Sequence, residues 1–229
     1  MTTWNRGEDL PMLGDDLIDR IRAHAAHAAH PDDDELGVAA NDLLHELFSG
    51  YPVENLARLL RAGDDTCVRT GTWLLSELGE RAAPMTGELP ALLAHPLRHV
   101  RFFALDVALV NGRHGDVLAP ALKLAQDPEA AVRWKALSFL AGASQDQLAA
   151  GAARLEAGRV RDLTEWLAGR PASRDVVARL GDPDLTTRLF AAAAAARLAA
   201  EDTGPLEVAA AAEDREISSF ASERLGSSR

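Results

Sequence analysis

The chain is short of the residues that make most functions recognisable. Cys67 is its one cysteine in 229 residues, so no disulfide can close within it and no paired-cysteine zinc pattern exists. That fits a reducing compartment, and the expected location is the cytoplasm. Of 24 basic residues 22 are Arg, which reads as codon bias in a GC-rich genome rather than phosphate recognition. No apolar run reaches the roughly 18 residues of a membrane span. The alanine-rich stretch Phe190 to Ala196 is short and flanked by Arg188 and Arg197, so it reads as a helix. Met1 to Asp9 has neither a basic start nor an apolar core, so no secretory signal is expected. Alternating apolar–polar runs are missing, which removes strands. There is no Walker loop and no Gly-x-Ser-x-Gly elbow, and the Ser, His and Asp residues show no spacing that selects a triad.

What is present is a period. Leu36, Val68, Val100 and Val132 stand 32 residues apart. Each opens a segment of aliphatic residue, usually Arg, then a small residue at the fifth place. The clearest copies are Val100-Arg101-Phe102-Phe103-Ala104 and Val132-Arg133-Trp134-Lys135-Ala136. Val160-Arg161, Thr187-Arg188 and Ile217 to Ala221 continue it at a spacing near 30. A fixed period of this size marks stacked repeats, and repeats more often present a surface than a catalytic pocket. Hydrophobic residues at 47% allow an extended core. Abundant Ala, Leu, Arg and Glu favour helices.

The punctuation predicts where those helices fall. Residues 1–14 read as an N-terminal arm and 15–229 as a single repeat domain. Asp15 to Ala29 forms a first helix with Leu17, Ile18 and Ile21 on one face, ended by His30-Pro31. Asp32, Asp33 and Asp34 then favour the amides of the next helix start. Pro52 and Pro84 open the first helices of two successive pairs. Asp64-Asp65, His95-Pro96, Asp127-Pro128 and Asp182-Pro183 mark the turn before the second helix of a pair. The expected pairs are 15–49, 52–80, 85–112, 115–142, 145–168, 172–200 and 203–225.

Asp127-Pro128 followed by Val132, Arg133, Ala136 and Leu140 resembles a HEAT-type repeat, and Asp182-Pro183 with Arg188 and Ala191 repeats most of it. The resemblance spans residues 35–225 and implies an all-α, right-handed α-α superhelix of about seven helix pairs. With the recurrent Val as position zero, positions 0, 4, 5 and 8 share one helical face that must be buried. They are Val68, Thr72, Trp73 and Ser76, then Val100, Ala104, Leu105 and Ala108, then Val132, Ala136, Leu137 and Leu140. Positions 2 and 6 lie off that face. The resemblance also implies that Arg69, Arg101, Arg133, Arg161 and Arg188 pair with acidic turn residues and are structural. The 145–168 pair departs most, lacking the Asp-Pro turn and interrupted by Gly151 and Gly158.

Net charge is −11 and unevenly spread. Residues 1–65 hold 14 acids and 5 bases, leaving 21 acids and 19 bases in the rest. Such a surface serves solubility alone, or it is an acidic field that repels phosphate backbones and steers basic partners; in the second case the expected partner is another protein rather than nucleic acid or membrane. Two groups are candidate contacts. One is the acidic run Asp32, Asp33, Asp34 and Glu35. The other is Phe102 and Trp134 at position 2 of neighbouring copies, with Asp106 and Lys135. Large aromatics beside charged residues suit an interaction hot spot, and they equally suit a wedge between repeats as part of the core. Serines and charges near the C-terminus (Ser218, Ser219, Ser222, Glu223, Arg224, Ser227) suit a polar terminal cap, so a monomer is expected apart from its partner.

Metal and enzyme readings are weaker. His24, His27 and His30 recur every three residues, but each step of three turns the side chain about 60° on a helix, so the first and last diverge by about 120°. That favours a solvated helix end, with no metal and no cofactor. HEAT-like deoxyhypusine hydroxylases carry several His-Glu pairs, whereas this chain has one, His45-Glu46. HEAT-like alkylpurine DNA glycosylases resemble the chain in length and fold class, and Trp73, Phe102, Asp106, Trp134 and Trp166 suit an aromatic cleft. A DNA groove, however, needs a positive footprint. The segment from Ser49-Gly50-Tyr51-Pro52-Val53-Glu54 to Glu77-Leu78-Gly79 resembles bacterial HEAT-type proteins found beside polymorphic toxins. That resemblance implies an immunity-type inhibitor of a basic toxin or nuclease. The alternatives are an enzyme on the same scaffold and an assembly or signalling scaffold.

Overall fold

The structure, a computed structural model, describes residues 13–27, 34–112 and 115–227. Those residues contain helices and turns and no strand. Two compact units divide the chain, Met1–Glu88 and Leu89–Arg229.

In the first unit α1 (Leu13–His27) packs on α2 (Asp34–Ser49). A 3-10 turn at Val53–Leu56 runs into α3 (Ala57–Leu60), which packs on α4 (Asp65–Glu77). A ten-residue 3-10 segment, Gly79–Glu88, follows. The expected face of α1 is fully buried: Leu17, Ile18 and Ile21 meet a core that includes Leu43, Leu59 and Leu75. Each such side chain contributes about 1.5–3 kcal/mol on burial. Asp64 caps α4 by accepting from the amides of Thr66 and Cys67 at 2.9 Å. Cys67 is a small core residue there, and burial, helped by the Asp64 carboxylate, pushes its thiol up to about 11.

The second unit is built of α5 (Leu89–Leu93), α6 (Arg98–Asn111), α7 (Leu118–Lys123), α8 (Ala130–Gly142), α9 (Gln145–Ala152) and α10 (Arg159–Ala168). It continues through α11 (Ser173–Leu180), α12 (Leu185–Leu198), α13 (Gly204–Ala210) and α14 (Arg215–Ser227). The turns expected at His95-Pro96, Asp127-Pro128 and Asp182-Pro183 each lie between the two helices of a pair. Among the described residues the helices fall into the seven pairs that the sequence spacing marks.

A repeated arginine fixes three of these turns. Arg101 donates to the carbonyls of His95 and Pro96, on its own turn, and to the Asp127 carboxylate on the next. Arg188 does the same with Asp182, Pro183 and Asp214. Arg133 bonds Asp127 and Pro128 in the same way, but its carboxylate is Glu216 of α14. The reason is in the sequence. Asp127 and Asp214 each stand 26 residues after their arginine, and the residue 26 after Arg133 is another arginine, Arg159. Arg159 pairs with Asp184 at 2.8 Å instead. Burial raises the Asp184 carboxyl, yet bonds from the Thr187 amide and Arg159 outweigh it and the net shift is downward. Arg161 does not join this pattern; it makes an exposed pair with Glu165 one turn along its own helix.

The same region breaks the stack. α8 packs directly on α12 and touches α14, while α10 sits on α9 and α12, and α9 sits on α7. Ala191 to Ala195 of α12 are all buried, because small side chains let that helix take neighbours on several faces. Gly151 lets α9 approach α7: a Cβ there would stand 2.5 Å from Leu122.

Three expectations are corrected. In α4, positions 2 and 6 are Thr70 and Leu74, and both are buried, whereas Trp73 and Ser76 are half-buried. This helix is covered by α1, α2 and α3, so its inward face is broader and rotated. Pro84 does not open a helix but lies inside the 3-10 segment. Gly79, at φ +56, ends the preceding helix, and the chain then winds in tighter turns. Arg161 is the third, for the reason given above.

Candidate protein-binding surface

The repeat register brings α6 and α8 side by side in the second unit, and with them three of the four residues singled out there. Lys135 reaches across to pair with Asp106. Its ammonium also lies 4.5 Å from the centroid of the Phe102 ring, a cation–π contact. Phe102 meets Phe103 edge-on, with centroids 5.7 Å apart. Lys135 and Asp106 are 17% and 27% exposed at their side chains, so this ion pair is partly shielded from water and fixed in place. Trp134 is half-buried on α8. Among the described residues the Phe102 ring meets Phe103 and Lys135 rather than Trp134.

Beside this cluster is an open depression of about 360 Å³ lined by Arg98, His99, Phe102, Phe103, Glu129 and Val132. Arg98 and Glu129 approach to 3.5 Å at its edge. Sequence reasoning missed Phe103 and His99. Phe103 stands at position 3, between the face assigned to the core and position 2. The available signal was the doublet itself, two consecutive large aromatics at positions 2 and 3, both off the face formed by positions 0, 4, 5 and 8.

The acidic group lies in the first unit. Asp34 and Glu35 are exposed in the first turn of α2, where negative charge favours the free amides. His24 Nε2 stands 3.3 Å from Glu35 Oε2. Asp32, Asp33 and His30 lie outside the described residues. Asp16, Asp42, Glu54 and Asp65 are also exposed and make no ion pair among the described residues. Counted by unit, residues 1–88 hold 17 acids and 7 bases, and residues 89–229 hold 18 and 17. The imbalance is thus −10 against −1.

Of the residues proposed for an aromatic cleft, Trp166 is covered by the Arg179 guanidinium at 4.6 Å and Phe102 by Lys135. Among the described residues no three His, Cys, Asp or Glu side chains gather as a metal site would require. No described helix is long and apolar enough to cross a membrane.

No family model matches the chain, and no curated protein matches it. Solved structures do. An engineered protein aligns with a TM-score of 0.54 at 16% identity, over 96% of this chain and 98% of that one. A designed armadillo repeat protein aligns at 0.51 and 17% identity, over 92% and 98%. Another designed armadillo repeat protein, solved in complex with the peptide (KR)4, aligns at 0.50 and 17% identity, over 94% and 98%. At these identities the likeness shows the fold, an all-α helical-repeat solenoid.

Proposed function

We propose that the chain is a non-catalytic protein-binding repeat module, and most concretely an acidic, immunity-type inhibitor of a basic toxin such as a nuclease. The observation that carries this reading is the charge difference of −10 against −1 between the units. Unpaired surface carboxylates contribute little to stability, but their summed field accelerates the approach of a positive partner. The Phe102, Asp106, Trp134 and Lys135 group supplies contact area and slows dissociation, since aromatics bury much surface at small entropic cost. Further support comes from a neighbour of the same fold that holds a peptide of alternating Lys and Arg.

Capture on the purified chain, followed by mass spectrometry of bound proteins and metals, tests the reading. A single stoichiometric, strongly basic protein is the expected outcome. With that partner in hand, neutralising Asp32, Asp33 and Asp34 slows association and flattens its salt dependence. An unchanged association rate at low salt contradicts the steering role. Bound metal without a protein partner overturns the reading and turns attention to His24, His27 and His45.

A further inference from the structure

The C-terminal ends of α8, α10 and α12 and the start of α11 line a cavity of about 620 Å³ that opens to solvent, separate from the aromatic cluster. A volume of this size suits a small molecule, and such sites combine apolar walls with a few converging polar groups. Here Leu167 and Leu198 contribute to the wall, and Arg170, Arg197, Ser173 and Glu201 are the polar groups.

Arg197 is half-buried, and its Nη1 donates to the carbonyls of Ala141 and Ala143 at the end of α8. Among the described residues no carboxylate pairs with it or with Arg170. Burial, and then the nearby positive charge of Arg170, push the Arg197 guanidinium below its ordinary pKa. A half-buried cation beside a second cation is a costly arrangement when neither is paired with a carboxylate.

Arg170 carries the second sign. It has φ +54, and among the described residues no other non-glycine residue has a positive φ. It follows the C-cap of α10, Gly169, which has φ −74. The left-handed residue beyond a helix end is usually the glycine itself. Here glycine stands one residue early and the strained place is held by an arginine, directly before Pro171. Strain of this kind persists where the surroundings fix it, often at ligand sites. The N-cap of α11, Ala172, offers no side-chain acceptor, although Asp175 in the first turn offsets part of the positive helix end. The Ser173 hydroxyl is spent on Asp202 at 2.5 Å.

We propose that this cavity binds a small organic anion, its carboxylate or phosphate head held by Arg170 and Arg197 and its apolar body against Leu167 and Leu198. Glu201, exposed at the rim, offsets one of the two positive charges and disfavours heads of high charge.

Titration calorimetry of the full chain with benzoate and phenyl phosphate tests this, with inorganic phosphate as the bodiless control. At least one organic probe gives saturable binding, and the tighter of the two identifies the head. Arg170→Gly weakens that probe by about tenfold or more, the loss of one charge-assisted contact. Its thermal midpoint stays unchanged or rises, since glycine takes φ +54 without strain. Glu201→Gln tightens the same probe by about two- to threefold. Absence of saturable heat with either organic probe to about 10 mM, a range that still detects weak sites, overturns the proposal. Equal affinity in Arg170→Gly overturns it as well. Inorganic phosphate binding as tightly as phenyl phosphate overturns the apolar half.

Discussion

The two units use charge in opposite ways. In the second, 17 bases stand against 18 acids, and its central arginines are set into the fold, each bonded to two carbonyls and one carboxylate. In the first, acids outnumber bases by 17 to 7, and Asp16, Asp34, Asp42, Glu54 and Asp65 face water without ion pairs among the described residues. Charge that is balanced and buried specifies packing, whereas charge that is unbalanced and exposed makes a field. The two should therefore respond differently to substitution.

The largest effect is expected where the second unit buries its charge. Arg101→Ala leaves the Asp127 carboxylate, itself 2% exposed at its side chain, without its cationic partner and with only the Glu129 amide bonded to it, and costs about 3–5 kcal/mol in denaturant unfolding. The same substitution at Arg161, which holds the equivalent repeat position but pairs in solvent, costs about 0.3–0.5 kcal/mol. Equal losses at the two sites would erase the distinction between ladder and surface arginines. Next comes Gly151→Val, which forces α9 away from Leu122 and costs about 1–3 kcal/mol by overpacking.

Among the described residues of the first unit, the charged node around Asp15 behaves like those of the second. Tyr51 donates to Asp15 at 2.7 Å, and Arg58 donates to Asp15 and Asp19. Burial, then the bond to Asp15, lift the Tyr51 phenol from 10.0 to about 12. A raised folded-state pKa favours the protonated form in the native state. The stabilisation is therefore complete below pH 10 and lost as pH climbs toward 12. Tyr51→Phe should cost about 1–2 kcal/mol near neutrality and flatten this alkaline limb in a pH series of thermal unfolding. The smallest effect on stability belongs to the field itself. Changing Asp16, Asp34, Asp42 and Asp65 together to Asn should shift stability by about 0.5 kcal/mol or less per site.

Much of this organisation is legible in the sequence, and the limits are physical. His95-Pro96, Asp127-Pro128 and Asp182-Pro183 mark turns because Pro and Asp act locally, through fixed φ and side-chain bonds to nearby amides. Loss of that signature in 145–168, with Gly151 and Gly158, correctly marks where the repeat departs. That α8 would then pack on α12 was not legible, since it is a choice between distant partners. Only afterwards does Arg159, standing where an acid is due, explain why Arg133 turns to Glu216. The candidate surface is less legible still. The spacing placed Phe102 beside Trp134, with Asp106 and Lys135, whereas the ring contacts of Phe102 are with Phe103 and Lys135; whether an aromatic at position 2 faces water depends on how neighbouring helices rotate, as the burial of Thr70 shows.

Binding of a short basic peptide tests the central claim most directly. Fluorescence anisotropy of labelled (KR)4 should show saturable binding that weakens with added salt, as contacts between exposed charges do. The variant with Asp16, Asp34, Asp42 and Asp65 changed to Asn should bind more weakly and with a shallower salt dependence, while remaining folded. No binding by the native chain, or identical curves for the two proteins, would contradict the assignment of the first unit as the surface that draws a basic partner.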